Sequence, residues 1–174
     1  MKKKTRKVVE FLDGMHEFIV SHPQFRRKIE GRSENQIQAE IRPLIIRYLE
    51  RYFGEAGYAD PIARAHRSFY WEGQEGQFGK QRSTTFGTRN YPDFIITAPY
   101  VVAIEYKQSE SGSVVKHGIG QSIMHTLSDE FDFVYYLFHD LSSDKRIEQS
   151  ITNDRETGII DRMWSDFNVL IKFV

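Results

Sequence analysis

Two short apolar runs rich in β-branched residues, Phe94 to Thr97 and Val101 to Ile104, flank Ala98-Pro99 and are bounded by charge. Asp93 precedes the first run, and Glu105 and Lys107 follow the second. Few folds accommodate that pattern. Such runs either side of a turn signal read as a β-hairpin. Closing the turn with Thr97 and Tyr100 sets Asp93 opposite Ile104, one position from Glu105. Turn chemistry decides this register, which a different turn would slip by a residue. Glu105 and Lys107 are two apart on one strand, so their side chains leave the same face. Three charged groups therefore meet at the end of two greasy strands. Burying them there is costly unless they pair or bind a metal.

The rest of the chain is read around that hairpin. Its 174 residues suffice for one domain with a full core, and a second domain is not expected. A run over 2–29, with Val8, Val9, Leu12, Met15, Phe18 and Ile19 near helical spacing, predicts a helical extension over residues 1–30. Its Lys-Lys-Lys-Thr-Arg-Lys start could touch phosphate, or be a solvated, frayed terminus. A second helix starts at Ser33, where Ser33 and Gln36 form a capping-box pattern. Its stripe is Ile37, Ile41, Leu44, Ile45, Tyr48 and Leu49, it ends at Gly54 and Gly57, and Pro43 within it predicts a kink or break. Ile62 to Trp71 reads as a strand, and 73–90 as a flexible loop rich in Gly, Gln, Ser and Thr. After the hairpin, Val114 to Glu130 reads as a helix with Ile119, Ile123 and Leu127 on one stripe and His117, Gln121, His125 and Ser128 on the other side. Phe131 to Phe138 reads as a strand buried on both faces, Ile147 to Phe167 as helical, and Val169 to Val174 as a closing strand. That order predicts an α/β sandwich with a mixed sheet.

Composition narrows the chemistry. Twenty-four basic residues balance 24 acidic ones, so nucleic-acid contact must come from local patches. There is no cysteine, which excludes disulfides and thiolate-metal centres. No run is long enough to span a membrane, and a secretory signal is not expected, so an intracellular, cytoplasmic protein is the default. Two carboxylates from adjacent strands form a ready site for magnesium or manganese, which prefer oxygen ligands, and the Tyr106 carbonyl between Glu105 and Lys107 could add a third. A lysine beside such an ion can orient or deprotonate water, or offset charge in a phosphoryl transition state. These parts suit phosphodiester hydrolysis. No nucleophile elbow, P-loop or dinucleotide fingerprint is present.

Pro92-Asp93, an eleven-residue spacer, then Glu105-Tyr106-Lys107 resembles the PD-(D/E)XK signature of the restriction-endonuclease-like superfamily. That resemblance implies a mixed sheet flanked by helices with core order αβββαβ, here with an added N-terminal helix and a C-terminal helix and strand. It also implies metal-dependent cleavage of DNA or, less often, RNA. Metal ligation then falls to Asp93 and Glu105, and assistance to the water falls to Lys107. Many members carry a glutamate on the first core helix that reaches the metal through water; Glu40 is the matching candidate and Glu34 its rival. Gln121-Ser-Ile-Met-His125 looks like the Gln-Xaa-Xaa-Xaa-Tyr element of RecB-type nucleases, with histidine in place of tyrosine. Gly120-Gln121 is similar to archaeal Holliday-junction resolvases.

Each residue also has a plainer role. Glu105 and Lys107 could form a same-face ion pair, Asp93 could be a turn residue, and Glu40 a helix-edge salt bridge. Gln121 and His117 could line a solvent face, while His125 could contact phosphate in place of the tyrosine or be a surface histidine. His139 is expected as a strand-end residue and not a ligand. Lys80, Arg82 and Arg89, with Phe78 and Phe86, make the 73–90 loop a candidate to embrace a nucleic-acid backbone. A homodimer would let two sites meet two strands.

Overall fold

The computed structural model describes residues 6–23, 25, 31–74, 83–85 and 88–174, with the backbone alone at 83–85, 88 and 89. In chain order its elements begin with α1 (Arg6–Ser21), α2 (Glu34–Glu55) and α3 (Pro61–Arg67). Then come β1 (Phe69–Trp71), β2 (Ser83–Thr85), β3 (Thr88–Asn90), β4 (Phe94–Ile96) and β5 (Val102–Ser109). The chain continues through α4 (Gly112–Leu127), β6 (Phe133–Asp140), a 3-10 turn (Ser143–Lys145), α5 (Arg146–Ser150), α6 (Asp154–Phe167) and β7 (Val169–Phe173).

Five strands make one mixed sheet in the order β1-β4-β5-β6-β7. The first three pair antiparallel, and β5, β6 and β7 run parallel through helical crossovers. β6, central in the parallel half, is buried at all eight residues, as its unbroken apolar run predicts. One sheet face, carrying Phe94, Ile104, Tyr106, Tyr135 and Leu137, packs on α1 and α2. The other, carrying Ile95, Ala103, Val134, Tyr136 and Phe138, packs on α4 and reaches partly buried side chains of α6. The architecture is an α/β sandwich. Among the described residues no helix is long and apolar enough to cross a membrane.

α2 starts where expected: Ser33 accepts from the Gln36 N–H, and Gln36 returns the bond to the Ser33 N–H at 2.8 Å. The helix then runs unbroken through Pro43, contrary to the expected kink. The carbonyl left without a donor is that of Ala39, an exposed residue, so water can satisfy it. Buried Ile41, Leu44 and Ile45 hold the helix to the core on both sides of the proline. α1 is no appendage either: Val8, Phe11, Leu12, Met15 and Ile19 belong to the same cluster as α2, and the Tyr48 hydroxyl donates to the Phe11 carbonyl at 2.7 Å. Residues 1–5, 24 and 26–30 of the expected helix lie outside the described part.

Three further expectations are corrected. Ile62 to Trp71 is not one strand, because Asp60 caps α3 by accepting from the Ala63 N–H at 3.0 Å with Pro61 in the first turn. Only Phe69–Trp71 remains extended. The 73–90 stretch is not structureless, since β2 and β3 pair antiparallel with Thr85 opposite Thr88, and β2 lies against α4. The hairpin register is shifted by one: Phe94 faces Ile104, so Asp93 stands across from Glu105. The cause is visible at the turn. Thr97 N–H is held by the Ser68 carbonyl at 2.8 Å, and the Val101 carbonyl accepts from Asp132 and Phe133. Both flanks are committed to outer neighbours, and the connection between Ile96 and Val102 opens to five residues.

α4 also turns a different face inward. Val115, Gly118, Ser122, His125 and Thr126 are buried, whereas Leu127 of the expected stripe is 63% exposed. Ile119 turns instead toward a groove of about 360 Å³ shared with α5 and α6. Close approach explains the choice: a Cβ on Gly118 would lie 2.3 Å from the Tyr136 hydroxyl and 2.5 Å from its ring carbon Cζ. Gly118→Ala is expected to cost roughly 1–3 kcal/mol in urea unfolding, the usual range for overpacking. Adding Tyr136→Phe should not rescue it, because the ring carbon still collides.

Candidate active site

β4 begins at Phe94, opposite Ile104, while its neighbour β5 continues to Ser109, so among the described residues the outer half of β5 has no paired strand on that side. Asp93 fills the gap with its side chain: Oδ2 accepts the Tyr106 N–H at 2.7 Å, and its own carbonyl accepts the Glu72 N–H at 3.0 Å. In a strand the N–H and C=O of one residue point to the same side. The Tyr106 carbonyl thus faces the gap that holds Asp93.

Glu105 and Lys107 rise from the α4 side of β5. Lys107 Nζ lies 3.0 Å from Glu34 Oε1, 3.7 Å from Asp93 Oδ2 and 3.7 Å from Glu105 Oε2. The other Glu105 oxygen is 2.7 Å from His125 Nε2, and the His125 ring meets Phe131 edge-on at 5.6 Å. Because α4 follows β5 directly and doubles back along it, His125 reaches Glu105, and Gln121 stands one turn nearer the Lys107 end. Gln121 Oε1 is buried and has no partner among the described residues.

The structure thus gathers Asp93, Glu105, Lys107 and Tyr106, and Gln121 stands on α4 one helical turn before His125. Glu34, not Glu40, is the helix carboxylate at this cluster. Glu40 instead pairs with Arg32 at 2.5 Å. Glu34 is the first residue of α2, and six further residues carry Glu40 roughly 9 Å along the axis and onto another face. A short chain of bonds seats that helix start: Gln108 Nε2 donates to the Arg32 carbonyl at 2.7 Å, and the Tyr106 hydroxyl donates to Gln108 Oε1 at 3.2 Å. His125 is 1% exposed, so it is neither a surface histidine nor open to phosphate. His117 is exposed on α4. Arg89 lies on β3 opposite Thr84, and Lys80 and Arg82 fall outside the described residues. His139 sits at a strand end as expected, near the Phe25 ring, and burial followed by Lys145 pulls it down to about 4. Sequence reasoning missed Tyr136, Ser122 and Gly118. A glycine inside a helix is the signal that marks such a close approach.

Charge is crowded here. Burial first, and then the Glu105 carboxylate, pushes Asp93 up to about 7 against the pull of Lys107 and the Tyr106 N–H. For Lys107 burial works downward, but Asp93, Glu105 and Glu34 outweigh it and the net shift is upward. Lys107 is therefore an ammonium at neutral pH. Three carboxylates face that one ammonium, a deficit that a divalent cation would close.

Comparison with family models, curated proteins and solved structures finds no match to this chain. The chemistry of the site rests on its own atoms. Among the described residues no three His, Asp or Glu side chains stand close enough to hold an ion by themselves. Two carboxylates and a carbonyl remain, and that set fits magnesium or manganese, which retain several waters. Asp93 and Glu105, with the Tyr106 carbonyl, are the residues that would hold it.

The Asp93 shift has a thermodynamic consequence. Its folded form keeps a proton that the unfolded chain has released, so the metal-free protein loses stability as pH rises from the ordinary value of 3.8 through about 7. Asp93→Asn removes that charge and can still accept the Tyr106 N–H. In urea unfolding with chelator, the variant should be more stable than wild type by about 1–3 kcal/mol near pH 8. The gap should close toward acid pH and shrink when millimolar magnesium is added. A gap that is flat with pH rules out the charge crowding.

Proposed function

We propose that this chain is a divalent-metal-dependent nuclease with a restriction-endonuclease-like core, acting on DNA in the first instance and on RNA as the other candidate. The observation that carries the reading is the meeting of Asp93, Glu105 and Lys107, with Nζ 3.7 Å from each carboxylate, where β4 gives out and the central strand β5 continues. The connectivity of α2, β1, β4, β5, α4 and β6 supports it, since these elements follow the order αβββαβ. So does the balance of charge, with the one Lys107 ammonium set among Glu34, Asp93 and Glu105.

A magnesium or manganese ion bound by Asp93, Glu105 and the Tyr106 carbonyl would polarise a phosphoryl oxygen and acidify a water. The chain's own residues do the rest. Asp93 is held in place by the Tyr106 N–H, and Glu105 by His125, so both enter the reaction pre-oriented. The Lys107 ammonium offsets negative charge as the water oxygen bonds to phosphorus and gives up a proton to solvent, while the ester P–O bond breaks and its oxygen takes a proton from solvent. Its raised proton affinity suits this role better than that of a general base. Glu34 restrains the lysine rotamer. Gln121, one helical turn before His125, offers an amide toward the Lys107 end of the cluster.

The test is incubation with supercoiled, linear and single-stranded DNA, and with RNA, in manganese. Asp93→Ala, Glu105→Ala and Lys107→Ala should each lower cutting by about a hundredfold or more while circular dichroism shows a folded protein. Glu34→Gln should slow cutting more than Glu40→Gln, and chelator should abolish it. Wild-type rates in Asp93→Ala, or cutting that survives chelator, refute the proposal. Tight DNA binding with no cutting in any metal would instead mark a nuclease-like binding module.

A further inference from the structure

Behind the carboxylates, α4 covers a buried patch of polar oxygens that the site described above does not use. Tyr136 Oη, Ser122 Oγ and Gln121 Oε1 are all buried and have no hydrogen-bond partner among the described residues. Tyr136 and Ser122 are both 0% exposed. Three such atoms in one region are unusual, because buried polar groups are nearly always paired.

Their positions are linked. The Tyr136 hydroxyl occupies the place where a side chain on Gly118 would stand, 2.3 Å from the ideal Cβ. On a helix the neighbours of that place are the residues three and four before and after it, roughly 5–6 Å away between Cβ atoms, and Gln121 and Ser122 are the polar ones. Three unpartnered oxygens carried by such neighbouring positions match the demands of one buried water, which takes two to four polar partners. Tyr136 is also the register partner of Glu105 across β5 and β6, on the same face. Its phenol is pushed up by burial and then by Glu105 and Glu34, so it remains a neutral donor beside the carboxylates.

Resting on the nuclease reading, we propose that Tyr136 and Ser122 are positioning residues which, through a shared water, fix the Gln121 amide with its oxygen inward and its Nε2 toward the Lys107 end of the charged cluster. Gly118 is the residue that makes room for this arrangement. A side-chain amide has two nearly equal orientations. Donors on its oxygen select the one that presents N–H groups to a phosphate.

Tyr136→Phe keeps the ring and deletes only the hydroxyl. Three readouts are followed: thermal unfolding in chelator, manganese affinity by calorimetry, and the Gln121 side-chain amide in NMR, assigned with Gln121→Ala. The variant should melt lower than wild type and shift the Gln121 amide resonances. Manganese affinity should stay within about twofold and single-turnover cutting should fall about tenfold, the signature of lost orientation. Ser122→Ala should do the same, and the double variant should add little. A higher melting temperature would show an orphaned hydroxyl with no role, and an unmoved Gln121 amide would show no link; either overturns the proposal. If wild type cuts no nucleic acid, the nuclease reading fails by itself, and melting together with the amide shift still decides whether Tyr136 orients Gln121.

Discussion

The hydrogen bond from the Tyr106 N–H to the Asp93 carboxylate, 2.7 Å long, organises this molecule's most unusual region. It occurs where β4 has ended and β5 has not, so a side chain completes a ladder that the backbone leaves open. The bond brings a carboxylate beside Glu105, and the two acids need a cation in compensation. Lys107 supplies part of it and draws in Glu34 from the start of α2. The sheet edge, the helix start and the crossover helix are thereby tied to one small volume.

The energetics point the same way. Burial disfavours the charged forms of Asp93 and Lys107, and one ammonium stands among three acids. Such an arrangement is poor as a device for stability. It suits the divalent ion of the proposed function, which would relieve repulsion between Asp93 and Glu105. His125 sharpens the geometry by occupying one Glu105 oxygen and leaving the other facing Lys107.

The inner face of α4 shows how packing and chemistry are coupled. Larger apolar residues on Ile119 and Leu127 would suit an ordinary amphipathic helix, yet the helix seats itself on Gly118, Ser122 and His125. The small face permits the approach that brings His125 to Glu105 and places the Tyr136 hydroxyl among helix side chains. A stripe drawn from hydrophobicity alone cannot express this, since the deciding quantity is the distance between helix and sheet.

Local chemistry alone determined much of the architecture. The Ser33 cap with Gln36, the helical stripe from Ile37 to Leu49, the doubly buried run ending in Phe138 and the shared face of Glu105 and Lys107 all follow from spacing and residue type. The candidate acids and lysine are legible for the same reason: two-residue periodicity on a strand is a covalent fact. Asp60 and Pro61 carried a cap signal as plain as that at Ser33, and the α3 helix follows from it. Tertiary structure decided what depends on partners distant in the chain. The one-residue register of the hairpin was set by Ser68 and by the start of β6, the choice of Glu34 over Glu40 by where α2 begins relative to the sheet end, and the burial of His125 by the seating of α4. Each is a competition between contacts far apart in sequence, and only the folded arrangement holds both contenders at once.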